Sequence, residues 1–222
     1  MANKRESLVK PYYSGRGVTI YHADCRDILP NLSPVQLVVT DPPYNAGKDY
    51  DGYSDSLSPQ MYRQIMKNIV AACRLLSVNQ AWIAPRYQLH FWLGLFPKAH
   101  LIVIRRGAAG PYRGGWSDQF EIALAEGKPS KPIPDIWNDI RLKGEGYFFR
   151  EKSYGHPGYT PIMILGRFIE YLSFEGDTIL DPFAGTGTAG VAARAFGRKA
   201  ILIEQSERYC EIAADRIRNA LI

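Results

Sequence analysis

The sequence predicts an α/β fold in which a parallel sheet carries helices on both faces. Short apolar runs alternate along the chain with segments whose apolar residues recur at helical spacing, which is typical of this class. A glycine-rich stretch at residues 179–190 lies between a predicted strand and a predicted helix, as in sheets that bind nucleotides. With 222 residues, the chain is long enough for one large domain with a substantial core.

The expected elements follow from apolar spacing and from capping residues. We expect strands at residues 17–24, 37–41, 81–85, 100–106, 119–127, 177–181 and 199–204. Helices are expected at residues 59–76, 87–96, 161–174, 188–197 and 206–221. Ser58 and Ser206 precede two of these helices as N-caps, and Met61 and Ile69 should face the core from the first helix. Residues 45–57 are predicted to form a polar loop and residues 128–155 a loop-rich insert.

Composition excludes several classes of protein. Apolar residues make up 46% and charged residues 22% of the chain, which is ordinary for a globular protein. No apolar run approaches the ~18 to 20 residues of a membrane span, and residues 1–10 lack a signal-peptide core, so we expect a cytoplasmic protein without membrane contact. The three cysteines and four histidines are scattered, so we expect reduced thiols and no metal site. The net charge of +5 weakly favours a polyanionic partner.

The first stretch that carries chemistry is Leu-Val-Val-Thr-Asp-Pro-Pro-Tyr-Asn, residues 37–45. Proline has no backbone N–H, so Pro42 and Pro43 end the strand, and the residue before each proline is held extended. The Asp41 carboxylate, stiff carbonyls and the Tyr44 ring are thereby fixed at the carboxyl end of a strand. The simpler alternative is a rigid turn with a surface tyrosine.

The second stretch is a G-x-G-x-x-G loop at Gly185, Gly187 and Gly190, followed by an acid, Glu204, at the end of the next strand. Acids at this position accept hydrogen bonds from ribose hydroxyls, and the pattern alone would also suit NAD or FAD. Asp181 argues against a dinucleotide because its carboxylate would repel a pyrophosphate. It suits a positively charged ligand such as S-adenosylmethionine (SAM), with its α-amino and sulfonium groups. The alternative is that Asp181 merely turns the chain with the next proline.

Both loops should meet, because ligands in open α/β sheets bind outside the carboxyl ends of the strands. An exocyclic amino group of a base is a poor nucleophile, since its lone pair is delocalised into the ring. If Asp41 and the Pro42 carbonyl accept its two N–H hydrogens, the nitrogen can pyramidalise and direct its lone pair at the methyl group of SAM. Tyr44 would stack on a base that has left the duplex.

Together, the two loops resemble those of the amino-methylating DNA methyltransferases, which form N6-methyladenine or N4-methylcytosine. Asp-Pro-Pro-Tyr at 41–44 looks like their catalytic motif, and Asp-Pro-Phe-Ala-Gly-Thr-Gly-Thr at 181–188 looks like their SAM-binding motif. The catalytic motif comes first, as in the permuted β group of the family. The likeness covers most of the chain and implies one circularly permuted, Rossmann-like methyltransferase domain over residues 1–222.

The resemblance implies a role for each matching residue. Asp24 would face the SAM adenine, in a segment that usually precedes the catalytic strand. The catalytic residues would be Asp41, Pro42, Pro43 and Tyr44. The cofactor-binding residues would be Asp24, Cys25, Asp41, His156, Asp181, Phe183, Ala184, Gly185, Thr186, Gly187, Thr188 and Glu204. One departure is His-Pro-Gly-Tyr-Thr-Pro at 156–161, where the family often has His-Pro-Thr-Gln-Lys-Pro, and there His156 and Thr160 are candidates for the polar contacts with SAM.

The region 105–155 is expected to recognise the target in double-stranded DNA. Basic residues interleaved with aromatics suit contact with phosphates and grooves, although a solvated surface is the simpler alternative. The DNA-binding candidates are Arg105, Arg106, Arg113 and Lys143. The insert is short, so a homodimer that extends the contact with DNA remains open. Residues 45–57 either close over the site as a lid or form an ordinary surface loop.

The expected function is therefore site-specific DNA methylation with base flipping, most simply at N6 of adenine, because the cytosine enzymes of the family more often carry serine in place of Asp41. An N4-cytosine enzyme is the first alternative. An RNA or protein methyltransferase, a nicotinamide or flavin oxidoreductase, and a DNA-binding module without activity are the others. The sequence leaves open whether the protein serves in a restriction–modification system beside a restriction enzyme.

Overall fold

The computed structural model describes residues 9–51, 53–105, 112–113, 116–117, 120–138, 154–156, 158 and 160–220. Its strands are β1 (Tyr13–Gly15), β2 (Val18–His22), β3 (Leu37–Thr40), β4 (Asp49–Tyr50), β5 (Tyr53–Ser54), β6 (Gln80–Ala84), β7 (His100–Arg105), β8 (Tyr112–Arg113), β9 (Trp116–Ser117), β10 (Phe120–Glu126), β11 (Ile136–Trp137), β12 (Thr178–Asp181) and β13 (Lys199–Glu204). Its helices are α1 (Cys25–Ile28), α2 (Pro59–Leu76), α3 (Leu89–Leu95), α4 (Ile162–Leu172), α5 (Thr188–Ala195) and α6 (Glu207–Asn219).

Nine strands form one mixed sheet in the order β1-β2-β13-β12-β3-β6-β10-β7-β11. The five strands from β2 to β6 in this order are parallel, but β1 and β10 run antiparallel to their neighbours, so the prediction of a wholly parallel sheet is wrong at these two strands. Arg16 and Gly17, with φ of 52° and 78°, join β1 to β2 in a two-residue turn that suits only antiparallel strands. The described part of the connection between β7 and β10 is a hairpin, β8–β9, and not the crossover helix that a parallel pair requires.

Helices cover both faces of the sheet, as predicted. Alternation along β3 shows the two cores: Leu37 and Val39 pack with α4, α5 and α6, whereas Val38 packs with α1, α2 and α3. This three-layer arrangement confirms the predicted Rossmann-like architecture. Among the described residues, no helix is long and apolar enough to cross a membrane.

The predicted N-caps of α2 and α6 are confirmed, but the buried face of α2 differs from the prediction. The Ser58 hydroxyl accepts a hydrogen bond from the Met61 backbone N–H, and Ser206 caps α6 in the same way. Met61 itself is 55% exposed, so the expectation that it faces the core is wrong. The buried stripe of α2 begins one residue later, at Tyr62, and it includes Ile69.

Two predicted loop regions contain ordered structure. Residues 45–57 hold the hairpin β4–β5, and the predicted loop-rich insert at residues 128–155 includes β11, which pairs with β7 in the main sheet. Trp137 of β11 is 1% exposed and packs on Phe168 with ring centroids 4.6 Å apart, so this aromatic residue of the insert belongs to the core. The role of the range 105–155 in target recognition stays a prediction.

The glycine-rich loop allows α5 to lie close to α6. Gly187 has φ of +80°, and a Cβ there would lie 2.7 Å from Ala213 Cβ and 3.1 Å from Ala213 Cα. Ala213 is fully buried, so this contact has no flexible side chain that could move away. The sequence therefore needs glycine here for both its backbone conformation and its lack of volume.

Gly187→Ala should destabilise the protein more than Gly176→Ala does. Gly176 also has a left-handed backbone, with φ of +85°, but no atom lies within 4 Å of the position that a Cβ would occupy there. Both variants have left-handed strain of roughly 1–2 kcal/mol, and only Gly187→Ala adds an overpacking cost of about 1–3 kcal/mol. Denaturant unfolding measures the difference, and equal losses would show that α5 and α6 tolerate the methyl group.

Candidate active site

Three acidic side chains lie at the carboxyl ends of adjacent parallel strands. Asp41 directly follows β3, Asp181 ends β12 and Glu204 ends β13. Because these three strands are neighbours in the sheet, the carboxylates share one edge. Asp41 and Glu204 line a cavity of about 670 Å³, including its part open to solvent, and Asp41 and Asp181 line a smaller cavity beside it. The larger cavity is lined by Asp41, Pro42, Pro43, Tyr44, Lys48, Tyr50, Asp51, His156, Gly158, Pro182, Phe183, Gly185, Ile203, Glu204, Gln205 and Tyr209.

Hydrogen bonds fix the backbone of the Asp-Pro-Pro-Tyr loop. The Pro43 carbonyl accepts a bond of 3.1 Å from the hydroxyl of Tyr62, which lies on α2. The Tyr44 carbonyl accepts bonds from the Tyr87 hydroxyl at 3.0 Å and from Gln88 Nε2 at 2.8 Å. Two helical segments therefore hold a loop that two prolines already stiffen, as the sequence predicted for a preorganised site.

The Asp41 carboxylate is held on both of its oxygens. The Tyr44 hydroxyl donates to Oδ1, and the Thr160 hydroxyl donates to Oδ2. Thr160 is 8% exposed and stands just before α4, so it connects this segment to the end of β3. Burial and the nearby negative charge of Asp41 raise the pKa of Tyr44 well above its usual value, so Tyr44 stays a neutral donor.

Asp181 is 2% exposed and accepts two hydrogen bonds, one of 2.6 Å from the Thr40 hydroxyl and one of 3.1 Å from the Phe183 backbone N–H. Burial raises the pKa of Asp181 to about 7, and the negative charges of Asp41 and Glu204 act in the same direction. The two hydrogen bonds only partly offset this effect. A positively charged ligand beside Asp181 would favour its ionised form.

Glu204 ties the glycine-rich loop to the following helix. Its Oε2 accepts a 2.8 Å bond from the Gly185 backbone N–H, and its Oε1 accepts a 2.8 Å bond from the Ser206 backbone N–H. Burial raises the pKa of Glu204, and these backbone bonds oppose the rise. The carboxylate thus stays at the cavity wall, where the sequence predicted a ribose-binding acid.

The remaining residues of the glycine-rich loop divide between two roles. Phe183 lines both cavities, and Ala184, Thr186 and Thr188 line the smaller one. Arg216 of α6 donates from Nη1 to the Thr186 carbonyl at 2.6 Å and to the Thr188 hydroxyl at 3.3 Å. These two threonines therefore also hold the loop against α6.

His156 lies in the cavity wall as a neutral side chain. Its ring packs against Tyr209 and Tyr50 with centroid distances of 4.7 and 5.4 Å, and its Nδ1 accepts a 3.1 Å bond from the Gly158 N–H. Burial and the positive charge of Lys48 lower the pKa of His156 to about 4. A Cβ on Gly185 would lie 3.0 Å from His156 Nε2, so the glycine lets this ring approach the loop.

Residues 45–51 and 53–57 lie beside the cavity, and Lys48, Tyr50 and Asp51 form part of its lining. The buried Asp55 carboxylate accepts bonds of 2.7, 2.9 and 3.2 Å from the backbone N–H groups of Asn45, Ala46 and Lys48. The Ser206 hydroxyl donates to Asp51 at 2.7 Å and so joins the hairpin to α6. Sequence reasoning missed Lys48, Tyr50, Asp51 and Asp55, because a polar loop gives no periodic signal of what it covers.

Asp24 and Cys25 lie apart from the cavity lining. Asp24 caps α1 and forms an ion pair with Arg26, with Nη2 and Oδ2 2.5 Å apart. Cys25 is 2% exposed within the core beneath, and burial raises its pKa to about 12. Their cofactor contacts stay predictions that the described contacts do not support.

The DNA-binding candidates are only partly described. Arg105 is exposed at the end of β7, on the same edge as the cavity, and Arg113 lies in the hairpin strand β8. Arg106 and Lys143 lie outside the described residues. Within the part of the chain that the structure describes, no three His, Cys, Asp or Glu side chains gather as metal ligands would.

Comparisons with known proteins find similar DNA methyltransferases. A family model described as DNA methylase, of the N6/N4 methyltransferase type, matches residues 114–215. The type II methyltransferase M.ScaI of Streptomyces caespitosus is 26% identical, over 98% of this chain and 86% of its own length. The DNA adenine methyltransferase YhdJ of Escherichia coli is 25% identical, over 92% of this chain and 84% of its own.

Solved structures show the same fold. The PvuII DNA methyltransferase, described as cytosine-N4-specific, has a TM-score of 0.75 at 17% identity and covers 97% of this chain and 91% of its own. M1.HpyAVI, solved as a complex with SAM, has a TM-score of 0.68 at 20% identity and covers 91% of this chain and 100% of its own. The family model and these relatives support a member of the amino-methylating DNA methyltransferase family, which holds both adenine-N6 and cytosine-N4 enzymes.

Asp181→Asn should change how stability depends on pH. The unfolded chain releases this proton near pH 3.8, but the folded protein keeps it up to about pH 7. The stability tied to the protonated carboxyl is therefore present at low pH and lost as the pH rises through that window. The asparagine of the variant does not ionise, so the variant does not lose this stability. Its free energy of unfolding relative to wild type should therefore rise from pH 4 to 7, by at most about 1.4 kcal/mol per pH unit.

His156→Gln provides a control of opposite sign. The pKa of His156 falls from 6.5 to about 4 on folding, so wild-type stability is lost as the pH drops through that range. The stability of this variant relative to wild type should therefore rise as the pH falls. Denaturant titrations from pH 4 to 8 measure both differences. A flat or falling curve for Asp181→Asn would show that Asp181 is ionised in the folded protein throughout.

Proposed function

We propose that this protein transfers a methyl group from SAM to the exocyclic amino group of a flipped base in double-stranded DNA, and that the base is adenine. The observation that carries the proposal is the convergence of two loops on one cavity: Asp41 to Tyr44 form one wall, and Gly185 and Glu204 form another. Similarity to the N6/N4 family supports the reaction class. The adenine methyltransferase YhdJ, among the relatives, supports the choice of base.

The donor set of the cavity fits SAM. The Asp41 and Glu204 carboxylates line the larger cavity, and Asp41 and Asp181 line the smaller one beside it. This negative charge favours a ligand with amino and sulfonium cations and disfavours a pyrophosphate. Glu204 would accept hydrogen bonds from ribose hydroxyls, and Asp181 would face positive charge. The SAM complex of the similar fold M1.HpyAVI supports this assignment.

SAM, when bound, would supply an electrophilic methyl group on a sulfonium sulfur. Asp41 and the Pro42 carbonyl would accept the two N–H hydrogens of the target amino group and so draw its lone pair out of conjugation with the ring. Each oxygen of Asp41 has two lone pairs, so a carboxylate that already accepts from Tyr44 and Thr160 can still accept from a substrate. Asp41 is also a base within reach of the proton that the amino group loses on methylation.

Tyr44 would serve in two ways. Its ring lines the cavity, where it offers a stacking surface for a base outside the duplex. Its hydroxyl orients Asp41. The Lys48 ammonium, 5.8 Å from the ring centroid, places positive charge on this side of the cavity, where the DNA backbone would approach. A nicotinamide or flavin enzyme would leave this loop without a function.

Analysis of nucleosides tests the reaction and the base together. DNA from a methylation-deficient host is incubated with the protein and SAM, digested and examined by mass spectrometry for N6-methyladenine and N4-methylcytosine. We expect N6-methyladenine from duplex DNA and no methylation of RNA. N4-Methylcytosine alone would reassign the base, and methylation of RNA alone would refute a DNA substrate.

Asp41→Ala separates catalysis from cofactor binding in the same assay. It should lower the rate of methylation by about 100-fold or more, because it removes a preorganised acceptor. SAM binding in titration calorimetry should change little. Near wild-type turnover in this variant would contradict the mechanism.

Thr160→Val and Thr160→Ser test how Asp41 is held. Valine keeps the shape of this buried side chain but lacks the hydroxyl that donates to Asp41, so we expect kcat to fall by roughly 10-fold with little change in the SAM dissociation constant. Serine keeps the donor and should retain most of the activity. If both variants behave alike, packing and not the hydrogen bond explains the role of Thr160.

A further inference from the structure

The topology brings a second group of side chains to the edge that holds the cavity. β10 pairs antiparallel with both β6 and β7, so β6 and β7 point in the same direction. The carboxyl ends of β3, β6 and β7 and the amino end of β10 therefore share one edge. Arg105, which ends β7, pairs in register with Phe120, which begins β10.

Two contacts connect β10 and the segment after β6 with the Asp-Pro-Pro-Tyr loop. The Arg86 guanidinium lies over the Phe120 ring, 4.9 Å from its centroid. Tyr87 comes next in the chain, and its hydroxyl donates to the Tyr44 carbonyl. We call this group of basic and aromatic side chains near Tyr44 the β6–β10 row. Its members are Arg105, Phe120, Arg86 and Tyr87.

Tyr87 is unusual within this row because its two ends have different environments. The residue is 59% exposed, and Phe120 is 37% exposed. The Tyr87 hydroxyl, in contrast, is bonded to a backbone carbonyl of the catalytic loop, and Gln88 binds the same carbonyl. An aromatic ring that is fixed at its hydroxyl and open at its face needs little further ordering when it binds a partner.

The geometry points to the β6–β10 row as a DNA-contacting surface, in which Arg86 binds a backbone phosphate and Tyr87 packs its ring against a base at the mouth of the cavity. This inference rests on the proposed function and extends it to residues outside both motifs. Base–aromatic stacking is worth about 1–3 kcal/mol per base, and arginine contacts neutralise phosphates. The bond from Tyr87 to the Tyr44 carbonyl connects DNA contact to the position of the catalytic loop.

Salt dependence of DNA binding tests the role of Arg86. Fluorescence anisotropy with a labelled duplex of arbitrary sequence, from 50 to 200 mM salt, is compared for wild type, Arg86→Gln and Arg218→Gln. Arg218 is a control, because its guanidinium also lies over an aromatic ring, 5.1 Å from the Tyr13 centroid, but beside β1 at the opposite end of the sheet. Arg86→Gln should reduce the slope of log K against log salt by about one, and Arg218→Gln should leave it unchanged. An unchanged slope for Arg86→Gln, or equal changes in both variants, would overturn the phosphate contact.

Two variants of Tyr87 separate the ring from the hydroxyl. Tyr87→Ala should raise the KM for DNA by about 5-fold or more, because the stacking face is lost. Tyr87→Phe should keep KM within about 2-fold of wild type and lower kcat, since only the bond to the Tyr44 carbonyl is lost. A KM for Tyr87→Ala equal to that of wild type would overturn the ring's role.

Further measurements on the same variants distinguish this inference from the proposed function. SAM binding and thermal unfolding of each variant show whether the fold is intact. If Tyr87→Ala loses both SAM binding and thermal stability and Tyr87→Phe keeps them, the ring has a structural role. That result also overturns the inference. If the wild-type protein binds DNA but methylates none, the proposed function fails. The anisotropy of Arg86→Gln and Tyr87→Ala then still decides the β6–β10 row, with weaker binding supporting it and unchanged binding refuting it.

Discussion

Three carboxylates at the ends of three neighbouring strands, one buried and two part-buried, need hydrogen-bond donors, and the architecture of the site follows from how these donors are supplied. Asp41, Asp181 and Glu204 each accept two hydrogen bonds from donors in adjoining segments. Buried carboxylates without such donors would be strongly unfavourable. The donors come from the end of β3, the Asp-Pro-Pro-Tyr loop, the loop before α4, the glycine-rich loop and the start of α6, so the requirement to satisfy the acids also positions the loops. The same concentration of negative charge makes the cavity favourable for a cationic ligand.

The strand order divides the functional edge into two halves that meet at β3. On one side lie β12 and β13, with the acids and the glycine-rich loop; on the other lie β6, β10 and β7, with the exposed basic and aromatic side chains. The Asp-Pro-Pro-Tyr loop follows β3 and so lies at the boundary, where its side chains reach the cavity and its Tyr44 carbonyl contacts the second half. A cofactor from one side and a nucleic acid from the other would meet at this loop.

Sequence reasoning predicted the parts of this arrangement that depend on local pattern. Strand–loop–helix patterns locate Asp41, Asp181 and Glu204 at strand ends, and parallel strands bring such ends to one edge. It failed where structure depends on distant partners. The antiparallel direction of β10 is set by its pairing with β6 and β7, and the order of residues 45–57 by the buried Asp55 carboxylate. Met61 has the right spacing for the core, but the helix is rotated so that Tyr62 faces inward.

We infer that the edge of the sheet with Asp41, Asp181 and Glu204 selects a cationic cofactor over an anionic dinucleotide. Titration calorimetry of the purified protein with SAM and, in parallel, with NAD⁺ tests this most directly, since both ligands carry an adenosine group and differ in the charge that would lie beside Asp181. The account predicts saturable binding of SAM and no measurable binding of NAD⁺ at the same concentrations. Binding of NAD⁺ as tight as that of SAM would contradict it.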